Sequence, residues 1–334
     1  MRLLLLGGNA FLGRAIARDA IARGHDVVAL ARGESGTFAE GVEVVRADRD
    51  LPNAYAGVHG DFDAVIDLAR QPRHVRGAVE NLRDRSQHHL FVSTINVYAD
   101  AGPTAIGAAE DAELLPAWDG EQWTPEHYGA GKVTCERLVA QAFPDSHLIA
   151  RAGLLAGPED STDRSGYWPL RFAHPSRPDG RVLVPHDPPA QTQLIDARDL
   201  AHWLISCVEN QTFGVFNATG PSVPLHAVLA AARAVAGHTG ELVPASSQWL
   251  AQKGVAHWAG ERSLPLWLPW PELAGVMTVD TSAAEAAGLR SRPLPQTFTD
   301  VLEWELRTGP GRPRQAGLSP ADEADLITQW LREN

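Results

Sequence analysis

The amino terminus is the feature that most constrains the fold of this chain, because it reads MRLLLLGGNAFLGRAI. Four leucines at 3–6 predict a strand that is buried on both faces, as strands of parallel sheets are. Glycines follow at once, and an apolar helical pattern begins at Phe11. A strand that enters a helix through a glycine turn predicts a site for a dinucleotide pyrophosphate at the helix N-terminus. A plain tight turn that binds nothing is the alternative.

The glycine pattern of this turn lacks its middle member. Read as G-x-x-G-x-x-G or as G-x-G-x-x-G, it misses at Ala10. Alanine excludes little beyond a positive φ and the closest backbone approach, so we still expect the turn to bind the pyrophosphate. The expected contacts within the turn are Gly7, Asn9, Ala10, Phe11, Leu12 and Gly13.

Strand and helix patterns alternate through the first half of the chain. The predicted strands are 3–6, 25–32, 42–48, 62–69, 89–98 and 147–157, and the predicted helices are 11–23, 72–85 and 126–143. This alternation predicts an α/β fold with a doubly wound parallel Rossmann sheet. A strand, a helix and a strand return within 191–220. In between and afterwards the sequence has no clear period.

We therefore expect two domains. The dinucleotide-binding Rossmann domain comprises 1–157 plus 191–220. The smaller, irregular substrate-binding lobe comprises 158–190 plus 221–334. Its last segment, SPADEADLITQWLREN, is expected to be a surface helix with Ser319 as its N-cap.

Charge and cysteine content exclude several classes of protein. The net charge of −12 argues against a nucleic-acid partner, because phosphate binding needs clustered positive charge. Two cysteines exclude a disulfide framework and a cysteine-rich zinc site. The four leucines are too short for a signal peptide or a membrane span, so we expect a cytoplasmic protein without a membrane partner.

The end of the second strand bears on the choice of dinucleotide. An acid there would bind the ribose 2′-hydroxyl, whereas an arginine would accept a 2′-phosphate. The sequence has Arg32 and no acid at the strand end, which favours NADP over NAD, although Arg32 at a strand end can also be merely solvated. Asp48 and Arg49 follow the third strand and are expected to flank the adenine. Capping of a turn is the alternative for Asp48.

Tyr128 and Lys132 have the spacing of two side chains on one helical face. A free tyrosine is a poor base at neutral pH, and a nearby ammonium stabilises the charge that it carries after losing its proton. The preceding predicted strand carries Ser93 and Thr94, and a hydroxyl there can hold a substrate oxygen. No histidine cluster has the spacing of a metal site, so no metal is expected.

Six segments together make the chain similar to the extended short-chain dehydrogenases, or NAD(P)-dependent epimerase/dehydratase family. These segments are GGNAFLG (7–13), FVSTINVY (91–98), YGAGK (128–132), ARAGLLAGP (150–158), QLIDARDLA (193–201) and FNATG (216–220). The resemblance implies that Tyr128 is the acid/base and that Lys132 is its partner and a ligand of the nicotinamide ribose. It implies Thr94 as the catalytic hydroxyl, with Ser93 behind it.

Further cofactor contacts are expected in or after the fourth, fifth and sixth predicted strands. They are Leu68, Ala69, Arg70, Ser93, Gly153 and Leu154. Dehydratases of the family place Asp-Glu directly after the catalytic threonine, whereas this chain has Ile95 and Asn96, which argues against dehydration. The opening without its middle glycine resembles a divergent branch of the family, some of whose members bind RNA.

Three functions follow from these features. The first is an oxidoreductase that transfers hydride to or from a small alcohol or ketone. The second is an epimerase that acts through a transient ketone, and the third is a non-catalytic NADP-sensing or RNA-binding regulator. The family often forms dimers through the helix that carries the tyrosine, so a homodimer is possible.

Several other residues have a functional and a structural interpretation. The ten tryptophans suggest a tryptophan-lined substrate cleft or simply a core. Arg171 and Arg177 are candidates for binding an anionic substrate group or for facing solvent. For His127, Asp199 and Cys135 we favour structural roles.

Overall fold

The computed structural model describes residues 1–120 and 122–334. Its strands are β1 Arg2–Leu6, β2 Asp26–Ala31, β3 Glu43–Arg46, β4 Phe62–Asp67, β5 Ser86–Thr94, β6 His147–Ala152, β7 Leu154–Ala156, β8 Val182–His186, β9 Gln191–Asp196, β10 Gly214–Ala218, β11 Ser222–Pro224, β12 Leu242–Ser246, β13 Ala256–His257 and β14 Ser263–Leu264. Its helices are α1 Phe11–Ala22, α2 Pro72–Leu82, α3 Tyr128–Ala142, α4 Tyr167–Ala173, α5 Ala197–Glu209, α6 Leu225–Val235, α7 Ser247–Gln252, α8 Ser282–Ala286, α9 Leu294–Thr308 and α10 Pro320–Glu333.

Seven strands form one sheet in the order β10-β6-β5-β4-β1-β2-β3, and all of its pairings are parallel. Leu3 and Leu5 pack on one face against α1 and α5. Leu4 and Leu6 pack on the other face with residues of α2. Burial on both faces explains the unbroken leucine run. The predicted α/β fold with a doubly wound parallel sheet is confirmed.

Several predicted elements are shorter in the structure, including the fifth strand at its end, the sixth strand and the helix expected from residue 126. The fifth strand ends at Thr94 rather than at Tyr98, and Ile95–Val97 form a 3₁₀ turn. The sixth strand is divided at Gly153 into β6 and β7. The helix expected from residue 126 begins at Tyr128, after a 3₁₀ turn over Pro125–His127. Each change lies at the carboxyl edge of the sheet.

The smaller lobe is more regular than the sequence suggested. It contains α4, α6, α7, α9 and α10 together with the parallel pair β8–β12. Ser319 caps α10 as expected, with its Oγ accepting from the Asp322 N–H at 3.0 Å. α10 lies at the surface with one face buried, since Leu326 and Ile327 pack in the core of the lobe while Asp325 and Leu331 are exposed.

The boundary between the two predicted domains is not a clean division of the chain. β9 lies in the stretch assigned to the Rossmann domain, yet it pairs with β7 and β11 in a separate three-stranded sheet. Conversely, Ala284 and Leu289 lie in the stretch assigned to the lobe, yet they pack in the core of the seven-stranded sheet. Within the described residues, no helix has the length and apolar character needed to cross a bilayer.

Candidate functional site

The turn between β1 and α1 requires glycine at three positions. Gly7 has φ +108°, a conformation that favours glycine. A Cβ on Gly8 would lie 2.8 Å from the Ala29 Cβ, and one on Gly13 would lie 2.3 Å from the Gly7 carbonyl oxygen. Ala10 instead has φ −97° and ψ 175°, which any residue adopts. The missing glycine therefore leaves the turn undistorted.

The N-terminus of α1 has the open donors of an anion site. Ala10 is its N-cap and provides no side-chain acceptor, so the first-turn N–H groups of the helix have no side-chain partner among residues 1–120 and 122–334. Asn9 is buried, its amide donates to the Gly36 carbonyl at 3.4 Å, and its own carbonyl accepts from Arg14 Nη1 at 2.8 Å. Phe11 and Leu12 begin the helix. This geometry suits a pyrophosphate.

The end of β2 carries two guanidinium groups rather than one. Arg32 is exposed, and its Nε lies 3.3 Å from a carboxylate oxygen of Glu34. Arg46 is the residue of β3 paired in register with Ala31, and its guanidinium lies beside Gly33 and over the Phe38 ring at 5.6 Å. Sequence reasoning missed Arg46. The parallel register of β2 and β3 was the signal that could have found it.

Asp48 and Arg49 have structural roles. The Asp48 carboxylate accepts from the Asp50 N–H at 2.9 Å, which is the turn-capping alternative. The Arg49 guanidinium points inward and pairs with Asp67 at 2.8 and 2.9 Å. Burial disfavours the Asp67 carboxylate, but this pairing lowers the pKa of Asp67 below its usual range. The prediction that the Arg49 side chain flanks the adenine is therefore wrong.

Three predicted residues follow β4 and reach the site. Leu68 packs beside Gly7, and its N–H donates to the Leu6 carbonyl at 3.1 Å. The Ala69 carbonyl accepts from Lys132 Nζ at 2.7 Å. The Arg70 guanidinium lies 5.6 Å from the centre of the Tyr128 ring. The residues that follow β4 thus lie beside both the glycine turn and Tyr128.

The catalytic candidates lie at the end of β5 and in the first turns of α3. Thr94 is its last residue, and its Oγ1 accepts from the Asn96 N–H at 3.2 Å. Tyr128 is the first residue of α3, and Lys132 lies one turn later. Lys132 Nζ is buried, donates to the Val92 carbonyl at 2.6 Å, and lies 6.0 Å from the centre of the Tyr128 ring.

Gly129 explains how α3 comes so close to β5. A Cβ at this position would lie 2.2 Å from the Asn96 carbonyl oxygen. Only glycine therefore lets the first turn of α3, which carries Tyr128, reach the residues that follow Thr94. The glycine in YGAGK was visible in the sequence, but the backbone that it approaches was not.

A buried polar network holds α3 against the sheet. Ser93 Oγ donates to a Glu136 carboxylate oxygen at 2.5 Å, and Arg151 Nη2 donates to Glu136 at 2.9 Å. Arg151 Nη1 donates to the Tyr98 hydroxyl at 3.0 Å, which donates to Asn217 at 2.6 Å. The prediction that the Ser93 side chain contacts the cofactor is therefore wrong, because its hydroxyl binds α3. Sequence reasoning missed Glu136 and Arg151.

Gly153 and Leu154, the two predicted cofactor contacts after β6, have different surroundings. Gly153 lies at the break between β6 and β7, where a Cβ would lie 2.3 Å from Thr219 Oγ1. The Leu154 side chain is buried in the core of the smaller lobe. Its side chain therefore does not face the cofactor turn, and that prediction needs correction.

A cavity of about 510 Å³ begins directly after Thr94. Ile95 and Asn96 line it on one side, and His257, Trp258 and an apolar stretch between Leu268 and Val276 line it on the other. Trp258 is the one tryptophan among its lining residues. The expected tryptophan-lined cleft is thus wrong in part, since Trp168, Trp203 and Trp267 are buried in the cores.

The remaining candidates are engaged elsewhere. Arg171 is buried beside Glu323 at 3.2 Å, and Arg177 pairs with Asp179 at 2.8 Å. Asp199 pairs with Arg292 at 2.7 Å. Burial raises the pKa of the Cys135 thiol to about 12, which suits a packed thiol. His127 Nδ1 lies 3.1 Å from the Thr124 hydroxyl at the start of the turn before α3.

The parallel sheet, the glycine turn and the helix with Tyr128 and Lys132 define a Rossmann-fold enzyme. Residues 3–84 match the model of the NAD dependent epimerase/dehydratase family. Over its first four strands and first two helices the chain is therefore similar to this family.

One curated relative spans nearly the whole chain. It is the 2′-dehydrokanamycin reductase of Streptomyces kanamyceticus, which is 26% identical over 323 residues, covering 92% of this chain and 86% of that protein.

Solved epimerases share the fold at low identity. A UDP-glucose 4-epimerase superposes with a TM-score of 0.69 at 15% identity, covering 94% of this chain and 100% of that one. The UDP-glucuronic acid 4-epimerase from Bacillus cereus, in complex with NAD, superposes with a TM-score of 0.67 at 14% identity, covering 92% and 99%. At these identities the likeness concerns the fold alone.

Proposed function

We propose that this enzyme is an NADP-dependent oxidoreductase that interconverts a small ketone and its alcohol. The observation that carries the proposal is the position of Lys132, whose Nζ donates to the Val92 carbonyl, two residues before Thr94, and lies 6.0 Å from the centre of the Tyr128 ring. When bound, the nicotinamide supplies or accepts the hydride. The reductase activity in the name of the relative from Streptomyces kanamyceticus supports this direction of chemistry.

The residues of the chain would handle the proton and the substrate oxygen. Tyr128 gives its hydroxyl proton to the oxygen as the ketone becomes an alcohol, and takes it back in reverse. The Lys132 ammonium and the N-terminus of α3 stabilise the negative charge that develops on the Tyr128 oxygen. Thr94 orients the substrate oxygen through its hydroxyl.

The preference for NADP rests on the charges at the end of β2. Arg32 and Arg46 both lie there, and a guanidinium binds a phosphate through two N–H groups. Glu34 pairs with Arg32 and is the residue that would favour NAD instead, through the ribose hydroxyls. Titration of wild type and of Arg32→Ala with both dinucleotides tests this. The affinity for NADP⁺ should fall, and that for NAD⁺ should not.

Tyr128→Phe tests the catalytic assignment. We expect turnover to fall by about 10²–10⁴-fold, which is the usual contribution of a positioned acid/base. Affinity for NADP⁺ should be unchanged, since the ring stays in place. Turnover is followed by the absorbance of NADPH over a panel of ketones. Full activity of Tyr128→Phe would contradict the assignment.

The same assay separates the reductase from an epimerase. A reductase consumes NADPH in step with product. An epimerase forms product while the nicotinamide absorbance stays flat. The regulator hypothesis gives neither result and predicts that a biological activity survives in Tyr128→Phe.

A further inference from the structure

The loop between β7 and α4 carries two buried carboxylates. Asp160 is buried, and its carboxylate accepts from the Thr162 N–H at 2.9 Å and from the Ser165 N–H at 3.0 Å. Asp163 is also buried, pairs with Arg312, and accepts from the Gln315 N–H at 2.8 Å. Both carboxylates are thus engaged by other donors, and they hold the loop in one conformation.

Arg164 lies between these residues in the loop and differs from its neighbours. Its Nε donates to Thr162 Oγ1 at 3.0 Å, which is the one hydrogen bond that its side chain makes to the described residues. No described carboxylate lies within ion-pair distance of it, although the side chain is partly buried. Burial lowers the pKa of Arg164, and the charges of Asp160 and Tyr128 oppose this without restoring it. A partly desolvated cation without a paired anion is costly unless a ligand supplies one.

Trp258 holds the guanidinium in place. The Arg164 Cζ lies 4.6 Å from the centre of the Trp258 ring. Such contact with an aromatic face engages the flat side of the guanidinium and leaves its edge N–H groups available. Trp258 has φ +70°, a strained value for a large side chain, and strain of this kind clusters at ligand sites.

The arginine is linked to the cavity through Trp258. Trp258 lines the same cavity as Ile95 and Asn96, which directly follow Thr94. On the other side, Tyr128 is near enough for its charge to bear on the guanidinium. A substrate that occupies this cavity therefore has atoms near the Trp258 ring that Arg164 contacts.

We infer that Arg164 binds an anionic oxygen group, a carboxylate or a phosphate, on the substrate. The inference rests on the proposed ketone chemistry and names its substrate class, which is a ketone that carries such an anion near the carbonyl. A guanidinium edge binds two oxygens of one anion at once, which also orients the substrate. Arg164 is thus a specificity-determining residue.

A pair of matched ketones tests this. Phenylglyoxylate carries a carboxylate beside its carbonyl, and methyl phenylglyoxylate is the neutral counterpart. With NADPH we expect wild type to prefer the acid in kcat/KM. In Arg164→Gln the acid should lose about 10–100-fold, the value of a hydrogen bond to a charged group, while the ester changes little. Arg164→Lys should retain part of the preference.

Arg137→Gln is the matched control, because Arg137 is exposed on α3, away from the cavity. It should leave both substrates unchanged. Urea midpoints show whether each variant is folded. Equal losses on acid and ester in a folded Arg164→Gln, or a wild type that prefers the ester, would overturn the inference.

A binding experiment separates this inference from the proposed function. Benzoate and benzamide are titrated into the protein with NADP⁺ by calorimetry. Benzoate should bind more tightly than benzamide in wild type and lose that advantage in Arg164→Gln. If this holds while neither ketone is turned over, the anion site stands and the reductase proposal fails. If benzoate shows no advantage in wild type, the anion site is wrong.

Discussion

Gly13→Ala tests the packing of the cofactor turn. The added Cβ would lie 2.3 Å from the Gly7 carbonyl oxygen, 2.9 Å from the Gly8 Cα and 3.0 Å from the Gly8 carbonyl carbon. All three atoms belong to the backbone, so no flexible side chain can move aside. To reach an ordinary contact of 3.4 Å, α1 and the turn must separate by about 1 Å.

That separation has two costs. It disturbs the packing of Leu12 and Ile16 in the core under α1, and overpacking of this kind costs about 1–3 kcal/mol of unfolding free energy. It also shifts the N–H groups that would bind the pyrophosphate. Losing one or two such hydrogen bonds, at roughly 1.4 kcal/mol each, weakens dinucleotide affinity by about 10–100-fold.

Urea unfolding measures the first effect, and fluorescence titration with NADPH measures the second. Ala10→Gly is the matched control. Ala10 has φ −97° and is exposed, so removing its methyl relieves no strain, and we expect a change within about 0.5 kcal/mol. A Gly13→Ala variant that is as stable as wild type and binds NADPH equally well would contradict this prediction. So would an Ala10→Gly variant that binds NADPH much more tightly than wild type.

Two further predictions concern stability. Glu136→Gln removes the charge that pairs with the buried Arg151, so we expect a loss of about 3–5 kcal/mol in urea unfolding, whereas the exposed Glu80→Gln should change it by less than about 0.5 kcal/mol. Burial lowers the pKa of His88 and of His89 to about 4, so both stay neutral in the folded protein while the unfolded chain protonates them near pH 6.5. Their contribution to the unfolding free energy is fully present above pH 6.5 and is lost as the pH falls towards 4. The loss is roughly 1.4 kcal/mol per histidine and pH unit. An unfolding free energy that does not fall between pH 6.5 and pH 4.5 would contradict this.

Three of the predictions about polar side chains failed for one physical reason. Arg49, Ser93 and Arg171 are polar residues in plausible places, and each is engaged by a partner distant in sequence, namely Asp67, Glu136 and Glu323. A guanidinium or hydroxyl is available to a ligand only when no such partner takes it. Pairing of this kind depends on how β4, α3 and α10, which carry the three acids, pack against the rest of the chain, and no local pattern records it.

The features that could be predicted correctly depend on neighbours along the chain. Leucines at 3–6 required a strand buried on both faces, Gly7 provides the positive φ of the turn, and Tyr128 and Lys132 share a helical face because of the helical repeat. The geometry of strands, turns and helices is set within a few residues, so it can be predicted from the local sequence.

Which side chains contact one another, and which stay available to a ligand, depends on how distant segments pack together. This packing brought the Asn96 carbonyl against Gly129, so that Tyr128 lies beside the residues after Thr94. Packing pairs Arg49 with Asp67. It places Arg164 over the Trp258 ring, with no ion-pair partner among the described residues. The physical reason is that the availability of a charge depends on every group that packs around it, and those groups come from segments far apart in the chain.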